Sequence, residues 1–140
     1  MILIDTGPLV ALCDRRDGRH RAAIAGLSSL LPDRFILCES VLTEACFHLP
    51  HPQQRQRLWR WIDELALAPP PAEAGSDFWA DTFAWLTRYE EHEPDWADAC
   101  LAVLSSREAG AKVWTYDRKF TTTWRRLDGS VIPLAVARRR

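Results

Sequence analysis

No C-x-x-C pair occurs among the four cysteines, which stand far apart at Cys13, Cys38, Cys46 and Cys100. The four histidines, His20, His48, His51 and His92, make no zinc spacing with them, which argues against a structural zinc site. Each cysteine sits among apolar neighbours and reads as a small buried hydrophobe. A signal-peptide pattern and a long apolar span are both missing, so a reducing cytoplasm is the expected home and no membrane partner is expected. Charge of one sign is also lacking. A formal net charge of −1 excludes a basic nucleic-acid module by overall balance, and any grip on a polyanion must come from local patches. Such patches exist at Arg15, Arg16, Arg19 and Arg21, at Arg55, Arg57 and Arg60, at Arg118, Lys119, Arg125 and Arg126, and at the terminal Arg138-Arg139-Arg140. Taken singly, each is first read as a solvated helix face or a frayed tail. Repeats, low-complexity tracts and internal boundaries are absent, so one domain over residues 1–134 with a basic tail at 135–140 is expected.

What is present is an ordinary globular composition, 47% hydrophobic and 26% charged over 140 residues, enough for one substantial core. Met1-Ile2-Leu3-Ile4 is a short apolar run of the kind that forms a central strand buried on both faces. Pro8 fits the first position of a following helix, where its missing N–H costs nothing. A helix with Ala22, Ala23, Leu27 and Leu30 on one side comes next, then a strand at residues 35–38 and a helix at about 40–49. Another helix covers about 52–66 with Leu58, Trp59 and Ile62 turned inward, and Leu67-Ala68-Pro69 suits a short edge strand. Ser76 is positioned to cap a helix to about Glu91, and Trp59, Trp61, Trp79 and Trp85 supply enough aromatic surface for a protein–protein face or for core packing. After an apolar helix and Gly110 come a strand at residues 113–116, a basic helix at 118–127 and a last strand at Val131-Ile132. Strands alternating with helices imply an α/β fold, a parallel sheet covered by helices on both faces.

The chemistry-bearing residues are acids at element ends. Asp5 lies at the carboxyl end of the first strand, where open α/β sheets place ligands. In Trp96–Leu104 every residue but Asp98 is apolar or small, and a carboxylate in so greasy a helix needs a partner or a cation. Asp117 leaves the strand beside a basic helix start. All three could instead be helix caps, and Asp95 is a plausible N-cap one turn before Asp98. Glu44 falls on the shoulder of its helix's apolar face beside Ser40 and His48, a place where a solvated glutamate is ordinary.

The segments ILIDTGPLVAL, Ser40 to Glu44, YEEHEPDWADACLAVL and WTYDRKF resemble the PIN-domain family, most closely the VapC toxins of toxin–antitoxin pairs. The resemblance runs over almost the whole chain in order and is weakest from about Pro50 to Glu90. It implies a three-layer α/β/α fold with a central parallel sheet of four to five strands. It further implies that Asp5, Glu44, Asp98 and Asp117 form a catalytic cluster that binds Mg²⁺ or Mn²⁺ and cuts RNA. Thr6, Ser40 and Thr115 match small hydroxyl positions near those acids, and Asp95 is an accessory acid or a cap. Lys119 stands where many relatives carry a further acid. A small antitoxin and a homodimer are the implied partners. Oxygen-only ligands agree with a hard divalent ion, and Arg15, Arg16, Arg118 and Lys119 are candidates to hold the RNA backbone. Two other readings compete: a receiver-like Mg²⁺ domain phosphorylated on one aspartate, loosely fitted by Asp5 and Lys112, and a non-catalytic RNA- or protein-binding module.

Overall fold

A computed structural model describes residues 1–70 and 75–135. Strand β1 (Ile2–Ile4) is the centre of a parallel sheet, with β2 (Phe35–Ile36) on one side and β3 (Lys112–Trp114) on the other. The register pairs Ile2 with Phe35 and Lys112, and Ile4 with Trp114. Successive strand residues point to opposite faces, and Ile2, Leu3 and Ile4 are all buried, so both faces of β1 are covered. The helices are α1 (Thr6–Cys13), α2 (His20–Leu30), α3 (Glu39–His48), α4 (Pro52–Glu64), α5 (Ser76–Arg88), α6 (Trp96–Arg107) and α7 (Lys119–Thr122).

The expected sheet of four to five strands is a sheet of three among the described residues. Leu67–Pro69 contributes one parallel bridge, Ile36 to Ala68, on the outer edge of β2. The C-terminal segment likewise makes single bridges, Val113 to Leu134 and Arg125 to Val131. Prolines explain the brevity: Pro69, Pro70 and Pro133 have no N–H to extend a ladder. The chain still holds to the sheet at Ala135, whose N–H donates to Val113 O at 2.8 Å. Of the expected basic tail, residues 136–140 lie outside the described residues.

Other boundaries differ locally. Helix α1 begins at Thr6, so Pro8 is its third residue, still within the turn whose N–H groups have no helical acceptor. Gly75, at φ 113°, precedes α5, and Ser76 makes no side-chain cap. The basic helix closes after Thr122. Trp59 is 65% exposed rather than inward, and Trp79 and Phe83 are each 61% exposed, whereas Trp85 is fully buried. Trp85 packs edge-on against Trp124 with ring centroids 5.2 Å apart and donates from Nε1 to Arg125 O at 2.8 Å. That contact ties α5 to the segment beyond α7. Helix α6 is buried from Ala99 through Ser105, as its all-round apolar sequence requires. Cys13, Cys38 and Cys100 are buried, Cys46 is half-buried, and none forms a disulfide. Burial pushes the Cys13 thiol up to about 12, leaving it inert.

Candidate active site

The β1–β3 pairing continues one step past Ile4, where Asp5 N donates to Trp114 O at 3.0 Å. Asp5 therefore leaves the sheet beside the exit of β3, and it also caps α1. One carboxylate oxygen, Oδ1, accepts from Thr6 N at 2.7 Å, and the other, Oδ2, from the Thr115 hydroxyl at 2.6 Å. The Thr115 hydroxyl accepts in turn from Asp117 N at 2.9 Å, so one threonine links the acids that follow β1 and β3. Asp117 Oδ1, one residue before Arg118, the N-cap of α7, receives Lys119 N at 2.9 Å.

Thr6 serves the other side of the site. Its hydroxyl donates to Glu44 Oε2 at 2.8 Å, drawing the shoulder glutamate of α3 toward the carboxyl end of the sheet. Glu44 Oε1 lies 3.8 Å from His48 Nε2, one helical turn on. Asp95 is the N-cap of α6, accepting Asp98 N at 2.7 Å, while Asp98 Oδ2 accepts Asp95 N at 3.3 Å. Asp98 thus completes a reciprocal cap and still faces the cleft. Capping and site membership coincide here because helix starts and strand ends meet at one edge of the sheet.

Asp5, Glu44, Asp95, Asp98 and Asp117 all line one cleft of about 460 Å³, together with Thr6. Burial, opposed by hydrogen bonds from Thr115 and Thr6 and reinforced by the charges of Glu44 and Asp95, raises the Asp5 carboxyl to about 6. Burial again comes first for Asp98, raised to about 7, with the charges of Asp95, Asp5 and Asp117 adding to it. Carboxylates crowded in a part-buried cleft hold protons that a divalent cation would displace.

Ser40 lines a neighbouring cavity of about 660 Å³ that shares Glu44 and Asp95 with the acidic cleft; its buried hydroxyl has no hydrogen-bond partner among the described residues. Arg15 and Arg16 line a separate cleft with His51, Gln54 and Arg57. Arg118 and Lys119 do not line the acidic cleft; Lys119 Nζ donates to His92 O at 3.2 Å and lies over the Trp124 ring. Sequence reasoning missed Asp17 and Tyr116 and placed Arg19 only in a basic patch; all three line the acidic cleft. Tyr116 had a signal, since it stands between Thr115 and Asp117, but Asp17 and Arg19 lie in a turn with no periodicity to place them.

All-oxygen donors at the carboxyl edge of a parallel sheet define a class of protein: α/β domains whose acidic cleft suits a hard divalent ion. Among the described residues, no three His, Cys, Asp or Glu side chains form a ready cage for a metal. The donor set fits an ion that keeps several waters and takes only one or two carboxylates directly, as Mg²⁺ does. Residues 2–124 match the family model of the PIN domain, and the chain belongs to that family. PIN domains are generally nucleases, bind RNA and typically use divalent metals. The comparison with curated proteins found no match. No helix among the described residues is long and apolar enough to cross a membrane.

Proposed function

We propose that this chain is a Mg²⁺- or Mn²⁺-dependent endoribonuclease hydrolysing RNA phosphodiester bonds in the acidic cleft. The observation that carries the reading is the convergence of Asp5, Glu44, Asp98 and Asp117, from four different segments, on one cleft. A divalent ion bound there supplies Lewis-acid chemistry, activating water and offsetting charge on the phosphate. Asp5 and Asp98, whose carboxyls burial raises to about 6 and about 7, would be its principal ligands. Glu44 and Asp117 orient water or hold a second ion, and Asp95 is chiefly a cap. Thr6 and Thr115 fix the rotamers of Glu44 and Asp5 by hydrogen bonds. The domain covers residues 1–134, and the Arg15–Arg16 cleft holds RNA backbone away from the acidic cleft.

The biological reading is the toxin of a type II toxin–antitoxin pair, acting in the cytoplasm as a homodimer held in check by a small antitoxin. Exposed Phe47, Trp59, Trp79 and Phe83 support partners of this kind, because solvated large aromatics are the currency of protein interfaces. A receiver-like reading fits poorly. Lys112 opens β3 opposite Ile2, at the far end of the strands from Asp5 and Asp117. A binding-only module has no need of the full acid set.

The test is cleavage of RNA by purified protein with Mg²⁺ or Mn²⁺, beside Asp5→Asn and Asp98→Asn variants. Wild-type fragments that disappear with EDTA and with either variant are expected. Identical fragments from all three proteins, or none from any, would sink the nuclease reading.

A further inference from the structure

The acidic cleft poses an electrostatic problem for a polyanionic substrate. Six carboxylates line it, those of Asp5, Asp17, Glu44, Asp95, Asp98 and Asp117, against one guanidinium, that of Arg19. Surrounded by so many acids, an arginine would be expected to pair with one. Among the described residues Arg19 forms no ion pair and its side chain makes no hydrogen bond; the acid nearest in sequence, Asp17, receives its backbone N–H instead, at 2.7 Å. The guanidinium lies over the ring of Tyr116, 5.2 Å from its centroid. Cation–π attraction holds the fork in place through its flat face and leaves the N–H donors at its rim unused.

Tyr116 is itself seated. Its ring lies against Gly7, where an added Cβ would stand 3.5 Å from Tyr116 Cδ2. The ring of Tyr116 thus packs at van der Waals distance on the start of α1, at its second residue. Gly7, two residues after Asp5, and Tyr116, just before Asp117, line the cleft together with Arg19.

Resting on the nuclease reading above, we propose that Arg19 is a phosphate-binding subsite for the RNA strand at the acidic cleft, positioned by Tyr116. The ligand class is a phosphodiester, gripped by the one guanidinium that lines the acidic cleft. Arg19 contacts substrate; Tyr116 acts only by holding Arg19. Nothing in the acid set performs this task, because carboxylates approach phosphate only through a cation.

The test uses the full chain and a fluorescent single-stranded oligoribonucleotide. Binding is measured in Ca²⁺ over a range of salt concentrations, and cleavage in Mg²⁺ or Mn²⁺. Arg19→Ala should weaken binding roughly tenfold, as loss of a charged hydrogen-bond donor does, and flatten the log–log salt slope by about 0.7, one single-strand phosphate contact. Arg19→Lys should restore the slope but only part of the affinity, since an ammonium keeps the charge without the planar fork. Tyr116→Phe should behave as wild type and Tyr116→Leu like a weakened Arg19. Hydrolysis of the small diester bis(p-nitrophenyl) phosphate should survive Arg19→Ala better than RNA cleavage does. An unchanged salt slope and affinity in Arg19→Ala, with wild type cleaving RNA, overturns the subsite alone. A wild type that does not cleave RNA overturns the nuclease reading, and the binding slopes then still decide whether Arg19 meets phosphate.

Discussion

Asp98 shows how one residue carries two assignments at once. Its backbone N–H and one carboxylate oxygen belong to the reciprocal cap of α6, yet its carboxyl is raised to about 7 because it is buried beside Asp95, Asp5 and Asp117. Asp5, raised to about 6, behaves in the same way. Both pKa values stand above the roughly 3.9 of an unfolded aspartate, so between about pH 4 and 7 the folded chain holds protons that the unfolded chain has released. Stability without metal is therefore greatest at the acid side of this window and falls as pH rises through it. Melting curves in EDTA should show Asp98→Asn gaining on wild type from pH 5 to pH 8, by roughly 3–5 °C for each ~1 kcal/mol of relieved burial. Mn²⁺ should raise the wild-type midpoint more at pH 8 than at pH 5, and should do little for the variant. A wild-type advantage in EDTA that grows toward pH 8 would contradict the assignment.

At the scale of elements, the sequence was most legible where periodicity and end signals agree. The apolar run of β1, the all-round apolar α6 and the order of strands and helices follow from local pattern. So does the Asp95 cap. Legibility failed where prolines truncated strands at residues 69 and 133, and at α7, which ends after Thr122 with Trp124 turned into the core. The α6 start offers a clean separation of cap from catalyst. Asp95→Ser should keep both fold and cleavage, Asp95→Ala should cost about 1 kcal/mol in stability, and Asp98→Asn should abolish cleavage. Denaturant titration and gel assays on the three variants check this. Cleavage lost in Asp95→Ser but kept in Asp98→Asn would exchange the two roles.

For the whole molecule, the four tryptophans that looked alike in sequence take different places. Trp85 is sealed in the core, Trp61 is half-buried with Nε1 donating to Leu12 O at 3.2 Å, and Trp59 and Trp79 face solvent. Trp79 and Phe83 lie one turn apart on α5, forming an apolar face of the kind that covers itself in a dimer. With a dimer, light scattering should give twice the chain mass for wild type, and a Trp79→Glu, Phe83→Glu double variant should give the monomer mass with an unchanged circular dichroism spectrum. A wild type that stays monomeric at high micromolar concentration removes the homodimer from the proposal. The sequence by itself determined the α/β order, the buried strand, and Asp5, Asp98 and Asp117 as acids at element ends, because hydrophobic spacing and element ends are local properties; Glu44, on the shoulder of its helix, was singled out only by the family resemblance. Only the tertiary structure decided what those acids touch. Thr115 reaches Asp5 across 110 residues and Thr6 reaches Glu44 across 38, through the parallel register of β1 with β3 and the packing of α1 on α3. The same packing brought Arg19 to the acids and set Arg15 and Arg16 apart from them, since neighbours in a turn diverge once the chain bends.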